Sequence, residues 1–179
     1  HPFFGSWMQA LNGKMNEALP PSVAIKGGGA GGGYLGTKYD PFVVKDPKDA
    51  LKGLIMDDPQ SDKSIELLKL MAEVRTDFHK KYKFKNIEAY RKYYNHSIRL
   101  MQSDDLSAFN LELEEKAARE KYNITHGDSF LLARRLLEAD VQYVSVNVRG
   151  GWDHHKNLFD TANYPSLAKD LDKALATFL

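Results

Sequence analysis

The chain has 179 residues, 42% of them hydrophobic and 27% charged, values that support one globular domain with its own core. Its 25 basic and 24 acidic residues leave a formal net charge of +1, so nothing draws it globally toward nucleic acid or an acidic membrane surface. The absence of cysteine excludes disulfides and thiolate-ligated zinc, and no apolar run approaches the roughly 18 residues of a membrane span.

The chain opens on His1-Pro2-Phe3-Phe4, without an initiator methionine or a charged-then-apolar leader. It closes on Leu175, Phe178 and Leu179 in mid-pattern, and a piece of a longer protein is expected. Ser6 to Leu19 has weak helical spacing, with Trp7, Met8, Leu11 and Met15 on one side and Gly13 within it. Pro20 and Pro21 forbid helix and lead into Ser22-Val23-Ala24-Ile25, a short extended segment. Lys26 to Phe42 then holds seven of the thirteen glycines and predicts a loop. A phosphate-cradling loop of the G-x-x-x-x-G-K-S/T type must open a helix. Here Gly36 is followed by Thr37-Lys38-Tyr39-Asp40-Pro41 and the proline blocks helix onset, which favours a substrate-side loop.

Ser61 and Asp62 are N-cap candidates for a long helix whose apolar positions, Ile65, Leu68, Met71 or Ala72, and Phe78, form one stripe. The lysines at 80, 81, 83 and 85 fall near its C-terminal end, where cations suit the helix dipole, and this reading is preferred to a nucleic-acid patch. A second helix starts at Asn86 and runs through Tyr90, Tyr93, Tyr94, Ile98 and Met101, its aromatics read as packing, and Ser103-Asp104-Asp105 ends it. From Leu111 to Tyr122 opposite charges at helical pair spacing predict a solvated helix. Asn123 to Gly127 is a turn, and Asp128 or Ser129 caps the apolar helix S-F-L-L-A-R-R-L-L-E-A, which Asp140 ends. The organisation expected is a single partial domain with a Gly-rich loop at 26–42, a helical insertion at 61–122 and a helix-strand-loop-helix unit at 126–179.

From Val141 the apolar period changes to two, and a β-branched run to Val148 directly after a helix predicts a strand, central in its sheet. Helix, turn, strand, polar loop and a further helix from Pro165 is the grammar of an α/β sheet, in which ligands collect beyond the carboxyl ends of the strands. That edge receives Gly150-Gly151-Trp152-Asp153-His154-His155. Asp153 and His155 are one residue apart, so on extended backbone both project to the same face and can converge on one cation. Carboxylate and imidazole suit a divalent metal where no thiolate exists, and the pair does not distinguish zinc, manganese, calcium and iron. Gly150 and Gly151 would admit close approach of ion or substrate, Trp152 would wall the pocket, and His154 would point away toward a second layer or the substrate. His126, ahead of the apolar helix, is the remaining histidine with a route to that edge, whereas His79 and His96 fall inside helices. The competing reading is a solvated or capping cluster. No nucleophile can be chosen, because Ser129 and Ser145 fit better as a cap and a strand residue.

The blocks L-P-P-S-V-A-I, G-G-G-Y-L-G-T-K-Y-D-P-F-V-V, T-H-G-D-S-F-L-L-A-R-R-L-L-E-A-D-V-Q-Y-V-S-V-N and G-G-W-D-H-H, in that order, resemble the bacterial domain-of-unknown-function family 1501. The resemblance runs from His1 to Leu179, and its members are similar to sulfatases and the wider alkaline-phosphatase superfamily. It implies a helix-rich part of a three-layer α/β/α fold with a metal centre at the strand ends, where Asp153 and His155 take the place of an Asp/His ligand pair. It further implies export to the periplasm or outside the cell, and a small-molecule or polysaccharide sulfate or phosphate ester as substrate. Family motifs of the E-F-G-R-T-P and G-R-D-H-W kind do not occur here, so this chain alone is expected to be inactive. Two positions depart from the pattern: Asp140 stands where relatives have glycine, and aspartate tolerates the left-handed turn; His154 stands where relatives have threonine. A non-catalytic binding or assembly protein of the same fold is the alternative, and a helical interaction module using the Asn86 to Met101 tyrosines is a third reading.

Overall fold

The computed structural model describes residues 1–27, 31–51, 100, 103–148, 152–153 and 155–179. The two helices expected between Ser61 and Met101, their lysine cluster and tyrosine stripe, His79 and His96, and Gly150, Gly151 and His154 lie outside the described residues.

Three parallel strands form one small sheet: β1 (Ser22–Ile25), β2 (Phe42–Val44) and β3 (Tyr143–Val146), in the order β2-β1-β3. β1 is the segment that follows the paired prolines, and its register sets Val23 opposite Phe42 and Val144. β3 is therefore an edge strand among the described residues, where a central one is expected, and its four residues are only partly buried. A β-branched run reports that a strand is half-buried, not which strands flank it. The centre falls to β1, every residue of which is buried.

Helices cover both faces. α1 (Phe4–Asn12) rests on the face that carries Ser22 and Tyr143: a Cβ on Gly5 would stand 2.8 Å from Ser22 Cβ and 2.7 Å from Tyr143 Cδ1, so only glycine lets the helix settle there. Phe3 and Phe4 pack against the Tyr143 ring at centroid distances of 5.5 and 5.4 Å. α1 stops well before Leu19, because Gly13 takes φ 76 and Asn16 Oδ1 accepts from the backbone N–H groups of Ala18 and Leu19. Its spaced apolar residues do not form a buried stripe, and Phe4, Leu11 and Met15 stay exposed.

The opposite face meets α3 (Gly127–Glu138), which is the apolar helix read from the sequence. Val23, Ile25, Val44, Leu132, Leu136, Val141 and Phe109 share one core with Val144 and Val146, and alternation along the strands sends these residues to one side. α4 (Tyr164–Phe178) packs on α3, with Phe178 edge-on to Phe130 at 5.9 Å. Asp140 takes φ 64 between α3 and β3, the left-handed turn that aspartate tolerates.

Three local expectations differ from the fold. The N-cap of α3 is His126 at φ 65, with no side-chain cap, rather than Asp128 or Ser129, which lie inside the first turn. The stretch from Leu111 to Tyr122 is not one helix: a 3-10 turn at Leu111–Leu113 precedes α2 (Lys116–Lys121), because Asn110 Oδ1 accepts from Glu112 N–H and tightens the start. Within the Gly-rich tract, Gly33–Leu35 and Thr37–Tyr39 form 3-10 turns, and Phe42–Val44 adds the strand β2 at its end.

Candidate functional site

All three strands point the same way, so Ile25, Val44 and Val146 end on one edge and the segments after them share it. α3 runs back against β3, which brings its first turn to the same edge. The ion pair of Lys48 Nζ with Asp128 Oδ2 at 3.3 Å fastens that turn to the segment after β2. His126 is thereby placed at the edge, partly buried, although no hydrogen bond or ion pair joins it to Asp153 or His155.

Asp153 and His155 are brought together. His155 Nε2 lies 3.1 Å from Asp153 Oδ2, and the side chains are 83% and 86% exposed respectively. Adjacent donors around a zinc ion with bonds of about 2.0–2.1 Å stand roughly 3.0–3.4 Å apart, so this separation suits two neighbouring ligands as well as a direct hydrogen bond. Among the described residues no third histidine, aspartate or glutamate completes a cluster able to hold a metal ion. The donor set fits half of a nitrogen and oxygen coordination sphere.

Trp152 does not close over the pair. Its ring meets Tyr164, the first residue of α4, edge-on at 5.9 Å and 82°, and remains 37% exposed. The loop between them is shaped locally: Asp160 N–H donates to the Asn157 carbonyl, Asn163 Nδ2 donates to the same oxygen at 2.9 Å, and Asn157 takes φ 54. Leu158 and Phe159 project into solvent beside it.

Sequence reasoning passed over three residues at this edge. Lys26 continues β1 in a left-handed conformation, Asn147 follows β3 and donates from Nδ2 to the Lys26 carbonyl, and Lys48 pairs with Asp128. The available signal was positional: Lys26 directly follows the extended segment Ser22-Val23-Ala24-Ile25, and Asn147 is a polar residue near the end of the run from Val141 to Val148.

Behind the edge, the Arg134-Arg135 pair has a structural task. Both guanidinium groups donate to Glu114 Oε2, at 2.7 and 2.9 Å, and Arg135 also donates to the carbonyls of Ser107 and Ala108. The Arg134 hydrogen bond, partly opposed by desolvation, holds the Glu114 carboxyl below its ordinary range. Burial raises the Tyr122 hydroxyl, over whose ring Arg134 lies at 5.6 Å.

A small parallel sheet of three strands with helices packed on both faces defines a mixed α/β protein. The chain belongs to the family described as "Protein of unknown function (DUF1501)", whose model matches residues 1–179. No curated protein and no solved structure matches it.

Proposed function

We propose that the protein is part of an exported, metal-dependent ester hydrolase of the sulfatase-like, alkaline-phosphatase type, with Asp153 and His155 as two of its metal ligands. The observation that carries this reading is the 3.1 Å separation of Asp153 Oδ2 and His155 Nε2, two residues of the segment that follows a strand of the parallel sheet in the chain. A divalent cation bound there would polarise a phosphoryl or sulfuryl oxygen and lower the pKa of a nucleophile or water. In this reading the chain's own residues orient: Asp153 and His155 hold the ion, Tyr164 fixes Trp152 at the border of the site, and His126 lines the same edge.

Elemental analysis of the purified protein tests the proposal. Wild type should retain a divalent metal that the Asp153→Ala, His155→Ala double variant loses. Equal metal content in both would select the second reading, a non-catalytic binding or assembly protein of the same fold, which the high exposure of both side chains favours.

A further inference from the structure

The helical repeat divides α1 into two sides, with Phe4, Trp7, Met8 and Leu11 on one and Gly5, Ser6 and Gln9 on the other. In an ordinary surface helix the apolar side meets the core. Here the order is reversed. Gly5 and Ser6 are the buried residues, and the Ser6 hydroxyl and Gln9 Oε1 are buried without a hydrogen-bond partner among the described residues. The apolar side faces outward: Phe4 is 62% exposed, Leu11 75% and Trp7 37%. Tyr34, in the 3-10 turn of the Gly-rich tract, extends the same side, because its ring meets that of Trp7 edge-on at 5.8 Å and is itself 72% exposed. Scattered exposed apolar residues are normal on a folded protein, but a joined patch rimmed by a polar helix side marks a place of contact.

Size, charge and spacing select the occupant. At these exposures Phe4, Trp7, Leu11 and Tyr34 present roughly 500 Å² of apolar and aromatic surface, more than half of the about 800 Å² that each partner contributes to a standard interface. From Pro2 to Gly13 the chain has no charged side chain. A helix that lies on a membrane surface carries lysine or arginine on its polar side, and a partner recognised by charge needs a charge to meet. An uncharged face on a chain of net charge +1 meets a copy of itself without repulsion. Phe4 and Leu11 also stand at equal distances in sequence from the Trp7-Met8 step. Two antiparallel α1 helices crossing at that step therefore set Phe4 of each copy against Leu11 of the other, the self-complementary pairing that a two-fold axis requires. We propose that α1 and Tyr34 form the interface of a two-fold symmetric dimer of this chain, with the α1 helices antiparallel.

Analytical ultracentrifugation over a wide range of protein concentration tests the proposal. Wild type should dimerise, and Leu11→Lys, which sets a cation against Phe4 of the other copy, should weaken the dimer about tenfold or more. Because Leu11 is exposed, the variant should keep the circular dichroism spectrum of wild type. The chain has no cysteine, so Met8→Cys places a single thiol beside the two-fold axis. An added oxidant should join two copies of that variant by a disulfide, whereas Leu137→Cys, exposed on α3 across the sheet, should stay unlinked. The proposal is overturned by a monomer at every concentration, by a dimer that resists Leu11→Lys, or by failure of Met8→Cys to link. If the chain is monomeric, flotation with phospholipid vesicles that Leu11→Lys abolishes would assign the patch to a lipid surface instead. None of these readouts involves Asp153 or His155, so the dimer and the hydrolase reading stand or fall separately.

Discussion

α3 and the loop that follows β3 are separated by a few residues, yet they are built on opposite terms. In α3, Phe130, Leu131, Leu132, Ala133 and Leu136 are buried, and Arg134 and Arg135 clamp Glu114 across a gap of twenty residues or more in sequence. In the loop, Trp152, Asp153, His155, Leu158 and Phe159 are exposed, and the side-chain hydrogen bonds of Asp153, His155, Asp160 and Asn163 are formed within the loop. Buried apolar contacts are concentrated in α3 and exposed polar groups in the loop. Substitutions in the two regions should therefore separate into those that unfold the protein and those that leave its stability unchanged.

The largest effect is expected at the core of α3. Leu136 is 0% exposed, and Leu136→Ala should cost about 3 kcal/mol in chemical denaturation; a cost below about 1 kcal/mol would erase the contrast between the regions. Next comes the clamp. Glu114→Gln leaves two arginines without their carboxylate, and with partial solvent screening at Arg134 the loss should be about 2 kcal/mol by the same measurement. The clamp also predicts a pH dependence. Because Arg134 first and Arg135 after it depress the folded pKa of Glu114, its stabilisation is present above the ordinary glutamate value of 4.5 and disappears as pH falls below it. Wild type should therefore lose stability more steeply than Glu114→Gln on acidification below that value. Parallel slopes would show that the pair of guanidinium groups does not act through charge. The smallest effect belongs to the loop: Asp153→Ala with His155→Ala should change stability by no more than about 0.5 kcal/mol in metal-free buffer, since both side chains are largely in water. A larger change there would mean that the loop is structural after all.

Legibility in the sequence followed the range of the forces involved. β1 could be read because Pro20 and Pro21 stop any helix ahead of four buried residues, and α3 because its apolar residues recur at helical spacing. The left-handed turn at Asp140 was expected from the glycine that relatives carry there, a conformation aspartate tolerates. β2 escaped because three residues behind a glycine tract and a proline carry too short a period to register. The central place of β1 escaped because strand order depends on neighbours more than a hundred residues away, such as Val144 beside Val23. The cap of α3 was misplaced for a related reason: His126 starts the helix through backbone conformation, without the side-chain oxygen by which caps are recognised. At the candidate site, the convergence of Asp153 and His155 followed from their spacing alone, whereas Lys26 and Asn147 meet only through the pairing of β1 with β3.

The tight seat of Gly5 on Ser22 and Tyr143 links two parts of the chain that share no sequence pattern. Phe3, just ahead of that seat, donates its N–H to the Gly31 carbonyl, and Gln9 Nε2 donates to the Lys38 carbonyl, so the connection between β1 and β2 is buttoned to α1 at both ends. One methyl group added at position 5 would jack the helix off its bed and pull both buttons with it. The N-terminal helix is thus a latch on the chain's passage from one strand to the next.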